Sequence, residues 1–170
     1  LNSAGTTSFK AGSPNLGEDN NTVPSFTGRI GFLPSSGIEA GISFHTGTYN
    51  KYILEGQVID EKRNELIIAA DWELTRSFKF GTIGLSGEFA YAKIDIPQSL
   101  TGLYASKQQG FYVDLTYDFL RGFVKILPKS SFIFTLRYDE IHLDKDITGD
   151  LTRQFSAGLN FKPFEDSIFK

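Results

Sequence analysis

His45 and His142 are the only histidines in the chain, and cysteine is absent. Without Cys there is no thiolate metal site and no disulfide framework. A serine hydrolase needs a nucleophile, a base and an orienting acid that converge at one point. No nucleophile elbow and no histidine–serine pair is found, so both histidines are expected in a polar wall or a loop. Neither enzymatic activity nor a cofactor is expected. One cluster has the residue types of a metal site. Asp144, Asp146 and Asp150, with Glu140 nearby, surround a loop containing Gly149. Carboxylates at such spacing can hold Ca²⁺, although the full EF-hand pattern is missing and acidic loops are commonly just solvated.

The other charged residues follow a different rule. Arg29, Glu39, His45, Asp71, Glu73, Glu88, Asp114, Asp118, Arg137 and Asp139, with the neutral Gln154, fall on alternate positions of apolar segments. Period-two alternation is the signature of β-strands with unlike faces. Phe26, Ile30 and Phe32 open the series, followed by Ile38, Ala40, Ile42 and Phe44. Leu66 to Leu74, Ile83 to Tyr91, Phe111 to Phe119, Phe132 to Tyr138 and Phe155 to Phe161 continue it. Past Glu140 the phase slips, as a bulge would make it. Phe123, Ile126 and Leu127 have the spacing of one turn of an interfacial helix. Ser167 to Lys170 has the composition to begin another strand.

Composition agrees. The 170 residues include 16 Phe, 7 Tyr and 17 Gly. Aromatic residues favour pleated strands, and glycine suits turns and crowded lumens. The net charge of −3 gives no reason to expect nucleic acid. The longest aliphatic run, Leu66 to Ala70, falls far short of the roughly 20 residues of a transmembrane helix. Residues 1–23 are rich in Gly, Ser, Thr and Asn without periodicity and are expected to form a loop or disordered lead. Asn20-Asn21-Thr22 within them matches a glycosylation acceptor, a motif common by chance. Residues 24–170 hold seven strands of about ten residues, the length that crosses a bilayer when tilted. Connections alternate between mostly short ones, at Pro34, Arg76, Arg121 and Pro163, of which Arg121 to Ser130 is the longer, and longer polar ones, at Asn50, Pro97 and Lys145. That is the habit of outer-membrane barrels.

Burying so many charges in the closed core of a soluble barrel would cost several kcal/mol for each unpaired one. A water-filled lumen avoids that cost and turns the apolar face to lipid. Phe32, Trp72, Phe119 and Phe161 fall towards the short turns and Tyr91 and Phe111 towards the long loops, like aromatic girdles. The expected fold is therefore an all-β, antiparallel, up-and-down transmembrane β-barrel in the cell outer membrane. The odd strand count and open ends lead to the expectation of a piece of a larger barrel, of about 14–18 strands if the piece is half. An antiparallel sandwich with one wet face also alternates, but its strands are usually shorter, about 5–6 residues.

Gly28-Arg29-Ile30-Gly31-Phe32, the Pro34 to Gly37 turn and Ile38-Glu39-Ala40-Gly41 resemble a hairpin of general porins related to the phosphate-selective porins. Leu136-Arg137-Tyr138-Asp139, then Asp144, Arg153-Gln154, Gly158-Leu159-Asn160 and Pro163 to Phe169 resemble the late part of that family's barrel. The resemblance spans Ser25 to Lys170 loosely. It implies a passive pore for small hydrophilic solutes or ions, often trimeric, with outer-membrane lipid as its surroundings. Arg29, Arg137 and Lys93 against Glu88, Asp114, Asp118 and Asp139 would then set a field across the lumen, or pair across strands to stiffen the wall. Basic Arg121, Lys125 and Lys129 in one turn would meet anionic groups at the periplasmic surface or simply be solvated. The alternatives are a structural barrel that anchors partners in an outer-membrane assembly and a soluble β-barrel that binds an apolar ligand inside.

Overall fold

The computed structural model describes residues 23–101 and 103–164, and the backbone of 167–169. Almost all of the expected lead, including Asn20-Asn21-Thr22, lies outside the described residues. Strands β1 (Phe26–Ser35), β2 (Ile38–Thr48), β5 (Asn64–Phe78), β6 (Gly81–Ile94), β7 (Lys107–Phe119), β8 (Ser131–His142), β9 (Leu151–Phe164) and β10 (Ser167–Phe169) form one eight-stranded sheet. Its spatial order is the chain order, and every pairing is antiparallel. The sheet is open, with β1 and β10 at its edges. A two-residue pair, β3 (Ile53–Leu54) with β4 (Gln57–Val58), stands apart in the β2–β5 connection. The only helical element among the described residues is a single 3₁₀ turn, Gln98–Leu100.

Register fixes the faces, because directly paired residues share a side of the sheet. One row runs Ile30, Ile42, Ala70, Phe89, Phe111. Another runs Ile38, Leu74, Leu85, Leu115, Leu136, Ala157. These rows form one apolar face. No hydrophobic residue among those described is buried; Ile30 is 80% exposed and Phe155 68%. The sheet therefore has no core on either side. Aromatic rings cover glycine gaps on this face instead. A Cβ on Gly87 would lie 2.3 Å from Cζ2 of Trp72, its cross-strand partner. The ring of Phe44 lies over Gly28 in the same way, 2.6 Å from where a Cβ would stand. This is how an aromatic side chain makes good the packing a strand glycine lacks.

Turn chemistry explains the two ends. At one end Ser36-Gly37 joins β1 to β2, Lys79-Phe80 joins β5 to β6, and 120–130 joins β7 to β8. Gly37 has φ 81°, and a Cβ there would press within 2.4 Å of the Thr75 carbonyl oxygen. At the other end lie the connections 49–63, 95–106 and 143–150; the last is shorter than 120–130, so the expected alternation of short and long connections fails at β7–β8. The β3–β4 pair turns through Glu55 and Gly56, both at positive φ (51° and 80°). That is the two-residue hairpin geometry matching strand twist.

Three expectations need correction. The 120–130 segment is a succession of tight turns, not a helical turn built on Phe123, Ile126 and Leu127. Leu120 and Gly122 take positive φ there, and Pro128 has no amide hydrogen to give. No bulge follows Glu140: Asp139 to His142 keep unbroken register with Gln154 to Leu151. The phase slip is a change of chemistry along a regular strand, and Glu140 stands on the apolar face opposite Arg153. Register breaks lie instead in β1, between Phe32 and Ser35, where Pro34 cannot donate to the ladder, and in the β9–β10 pairing, between Ser167 and Phe169. Trp72 lies in the middle of β5, not near its turn. The aromatic row by the short turns is Phe78, Phe119, Phe132 and Phe161, whose neighbouring ring centroids from Phe119 to Phe161 are 6.2 and 5.1 Å apart.

Candidate functional site

The second face of the sheet collects the charges. Gly31, Gly41, Asp71, Glu88, Tyr112, Asp139 and Gln154 make one row across it, and Glu39, Glu73, Ser86, Asp114, Arg137 and Ser156 the next. Arg29 and His45 stand on the same side in β1 and β2, and Asp118 on it in β7. All ten expected wall residues thus share one surface. Lys93 does not. It pairs with Leu66 and Lys107 on the apolar face, because it keeps phase with Phe89 and Tyr91. The tally of the polar face in β1 to β9 is acidic: Glu39, Glu65, Asp71, Glu73, Glu88, Asp114, Asp118 and Asp139 against Arg29, Arg137 and Lys162.

Two arginines organise this surface. Arg29 donates from Nη2 to Asp71 Oδ2 at 2.6 Å and lies 3.4 Å from Glu39 Oε1. Asp71 is on β5, so the guanidinium reaches across the whole width of β2. Gly41 makes the crossing possible: a Cβ there would lie 2.6 Å from Arg29 Nη2 and 2.8 Å from Asp71 Oδ1. Sequence reasoning gave Gly41 no special role; its signal was a glycine in phase with acidic residues on a strand flanked by an arginine and an aspartate. Arg137 forms a two-point contact with its cross-strand partner Asp114, Nε to Oδ1 at 2.6 Å and Nη2 to Oδ2 at 2.5 Å. The planar fork suits a carboxylate in this way. Its guanidinium carbon also sits 4.5 Å from the centroid of Tyr112, a cation–π distance. Glu88, Tyr112, Arg137, Asp139, Gln154 and Ser156 line an open cleft of about 690 Å³ beside it.

Both arginines are thus held in place by neighbours, whereas Glu73 and Glu88 have no ion pair among the described residues. Asp71 stands directly opposite Glu88, and Glu39 directly opposite Glu73. Like charges facing each other across strands are destabilising. Arg29 offsets this for Asp71 and Glu39. His45 takes part more modestly, with Nδ1 2.7 Å from Thr27 Oγ1 and Nε2 3.2 Å from Glu65 Oε1. His142 lies on the opposite, apolar face, 3.7 Å from Glu140.

The long connections carry their own polar networks. Asn50, nearly buried, donates to Asp60 Oδ2 and the Glu61 carbonyl, and accepts from the Arg63 amide. Arg63 grips Asp60 at two points, 3.1 and 2.9 Å, and this hydrogen bonding holds the Asp60 carboxyl below the usual range. Burial pushes the Tyr49 phenol up, while its hydroxyl donates to the Asp95 carbonyl at 2.6 Å.

In the acidic loop the candidate carboxylates do not make a metal site: no group of three or more His, Cys, Asp or Glu that could hold a metal occurs among the described residues. Asp150 accepts from the Asp144 amide and Asp144 Oδ1 from the Asp146 amide. Asp146 accepts from Ser106 Oγ at 2.5 Å and Lys107 Nζ at 3.0 Å, and these contacts lower its carboxyl pKa. The carboxylates cap the loop's own amides and a lysine. At the opposite end, Arg121 of the expected basic turn lies 3.4 Å from Asp118. Compared with protein-family models, with curated proteins and with solved structures, the chain matches none.

Proposed function

We propose that this sheet is wall of a porin-type β-barrel in a bacterial outer membrane, its apolar face against lipid and its acid-rich face lining an aqueous path for small hydrophilic solutes and ions. The observation that carries the reading is the segregation of the two faces. Large apolar residues cover one side, with none of those described buried, while the other side holds charged rows. In water a contiguous apolar surface of this kind exceeds the few hundred Å² that monomers tolerate; hydrocarbon removes the penalty. The seven long strands, of ten to fifteen residues, match the roughly 9–11 residues of a tilted transmembrane strand and the apolar band of about 25 Å that such barrels present.

The reading also requires both sheet edges to be paired, since unpaired backbone groups are not tolerated in hydrocarbon. Strands beyond those described, or a second copy, must supply the partners. The excess of carboxylates on the polar face favours cations over anions. The test is conductance of the full-length protein across a planar bilayer, with the reversal potential measured in a KCl gradient. Discrete conductance steps and a reversal potential of the sign for K⁺ are expected. Insertion without conductance would sink the pore reading, and anion preference would sink the assignment of selectivity to this face.

A further inference from the structure

The apolar face does not stay apolar to its end. Towards the long connections its last full row is Leu66, Lys93, Lys107, so two lysines stand directly opposite each other on β6 and β7. A third, Lys145 of the β8–β9 connection, reaches onto the same face. Its Nζ donates to Gln109 Oε1 at 2.6 Å and lies 5.9 Å from the Tyr91 ring centroid; Tyr91 and Gln109 are the next cross-strand pair down. Arg153 on β9 adds a fourth cation on that face, two strands beyond Lys107. Two of the four are already matched: Lys107 to Asp146 at 3.0 Å and Arg153 to Glu140 at 2.9 Å. Lys93 is exposed, without an acidic partner among the described residues, and Lys145 makes no ion pair: it meets a neutral amide and a ring and feels the neighbouring Asp146 carboxylate only at a distance.

Facing lysines repel and cost stability unless an anion lies between or above them. Asp146 of the β8–β9 connection supplies one to Lys107; Lys93 has none among the described residues, and the polar face points the other way. What the surface offers is a pair of unmatched ammonium groups directly above the apolar rows of Ile68, Phe89 and Phe111. That is the complement of an amphiphile: negative charge above, hydrocarbon below. From this we infer that Lys93, Lys107 and Lys145 form an outward-facing site for the phosphate of an anionic lipid headgroup, whose acyl chains lie along those rows. The inference rests on the membrane reading of the apolar face.

The test places the full-length protein in nanodiscs of phosphatidylcholine and phosphatidylglycerol with the same acyl chains and counts the retained lipids by native mass spectrometry. The unaltered protein is expected to retain phosphatidylglycerol over phosphatidylcholine by up to about 25-fold, at about fivefold for each of the two lysines without an ion pair. The preference should fall towards unity in the Lys93→Gln/Lys145→Gln variant and persist in Lys93→Arg. Equal retention of both lipids by the unaltered protein, or an undiminished preference in the double glutamine variant, would overturn the site while leaving the membrane reading intact. A protein that enters neither kind of nanodisc would overturn the membrane reading and the site with it.

Discussion

Gly41 offers the sharpest test of how the polar face is built. Replacing it with alanine puts a methyl group 2.6 Å from Arg29 Nη2 and 2.8 Å from Asp71 Oδ1. Both are the far ends of side chains, so the backbone can stay while the guanidinium swings away. The ion pair lost has side chains 46% and 33% exposed, which puts its worth at about 0.2–1 kcal/mol. Against that, Gly→Ala at a position without positive φ stabilises by about 0.4–1 kcal/mol through the unfolded chain. Gly41→Ala alone should therefore be nearly neutral. In an Arg29→Ala background there is no guanidinium to displace, so the same substitution should show its full gain. The double-mutant cycle should give a coupling of about 0.5–1 kcal/mol. Trp72, the sole tryptophan, neighbours Asp71 on β5 and reports urea unfolding by fluorescence. Additivity within about 0.3 kcal/mol would refute the claim that glycine is required for the crossing.

Three further outcomes are expected. Gly87→Val should destabilise by about 1–3 kcal/mol, because overpacking forces side chains and backbone to shift and the new Cβ would meet both the Trp72 ring and the Tyr112 carbonyl; the tryptophan emission maximum should move with it. In vesicles with brominated acyl chains the Trp72 emission should be strongly quenched, and unquenched emission would count against a lipid-facing apolar side. Asp60 has a lowered folded-state pKa, so its contribution is present above the unfolded pKa and lost as pH falls through the folded value. Limited proteolysis of the 49–63 connection should accordingly accelerate only at acid pH, and Asp60→Asn should make it fast at neutral pH as well.

Much of the sheet was legible because period-two alternation is a direct image of pleat geometry. The seven long strands and their faces follow from it, whereas the expected alternation of short and long connections does not hold, since 120–130 is longer than 143–150. What escaped was whatever depends on neighbours distant in the chain. Lys93 is polar, so grouping by chemistry sends it to the charged face, whereas its phase with Tyr91 puts it on the other. Glu140 breaks the alternation because Arg153 on the next strand offsets it at 2.9 Å, a compensation no local window displays. The β3–β4 hairpin hid because Glu55-Gly56 lacks the Asn-Gly or Asp-Gly signal of such turns. Asp144, Asp146 and Asp150 had the spacing of ligands, but loop amides and Lys107 had prior use for their oxygens.

The chain-order arrangement of the strands has a kinetic consequence. Each long strand can zip onto the one made just before it, and closing a loop costs entropy that grows only slowly with its length. The stretch between Thr48 and Asn64 is drawn in by the β3–β4 turn, so even there the search is short. Such nearest-neighbour topologies assemble faster than sheets that wait for distant segments to meet. They also divide cleanly: a strand that stalls, at β6 for example, leaves β1, β2 and β5 on one side and β7, β8 and β9 on the other free to pair among themselves, so the break costs one seam and not the whole sheet.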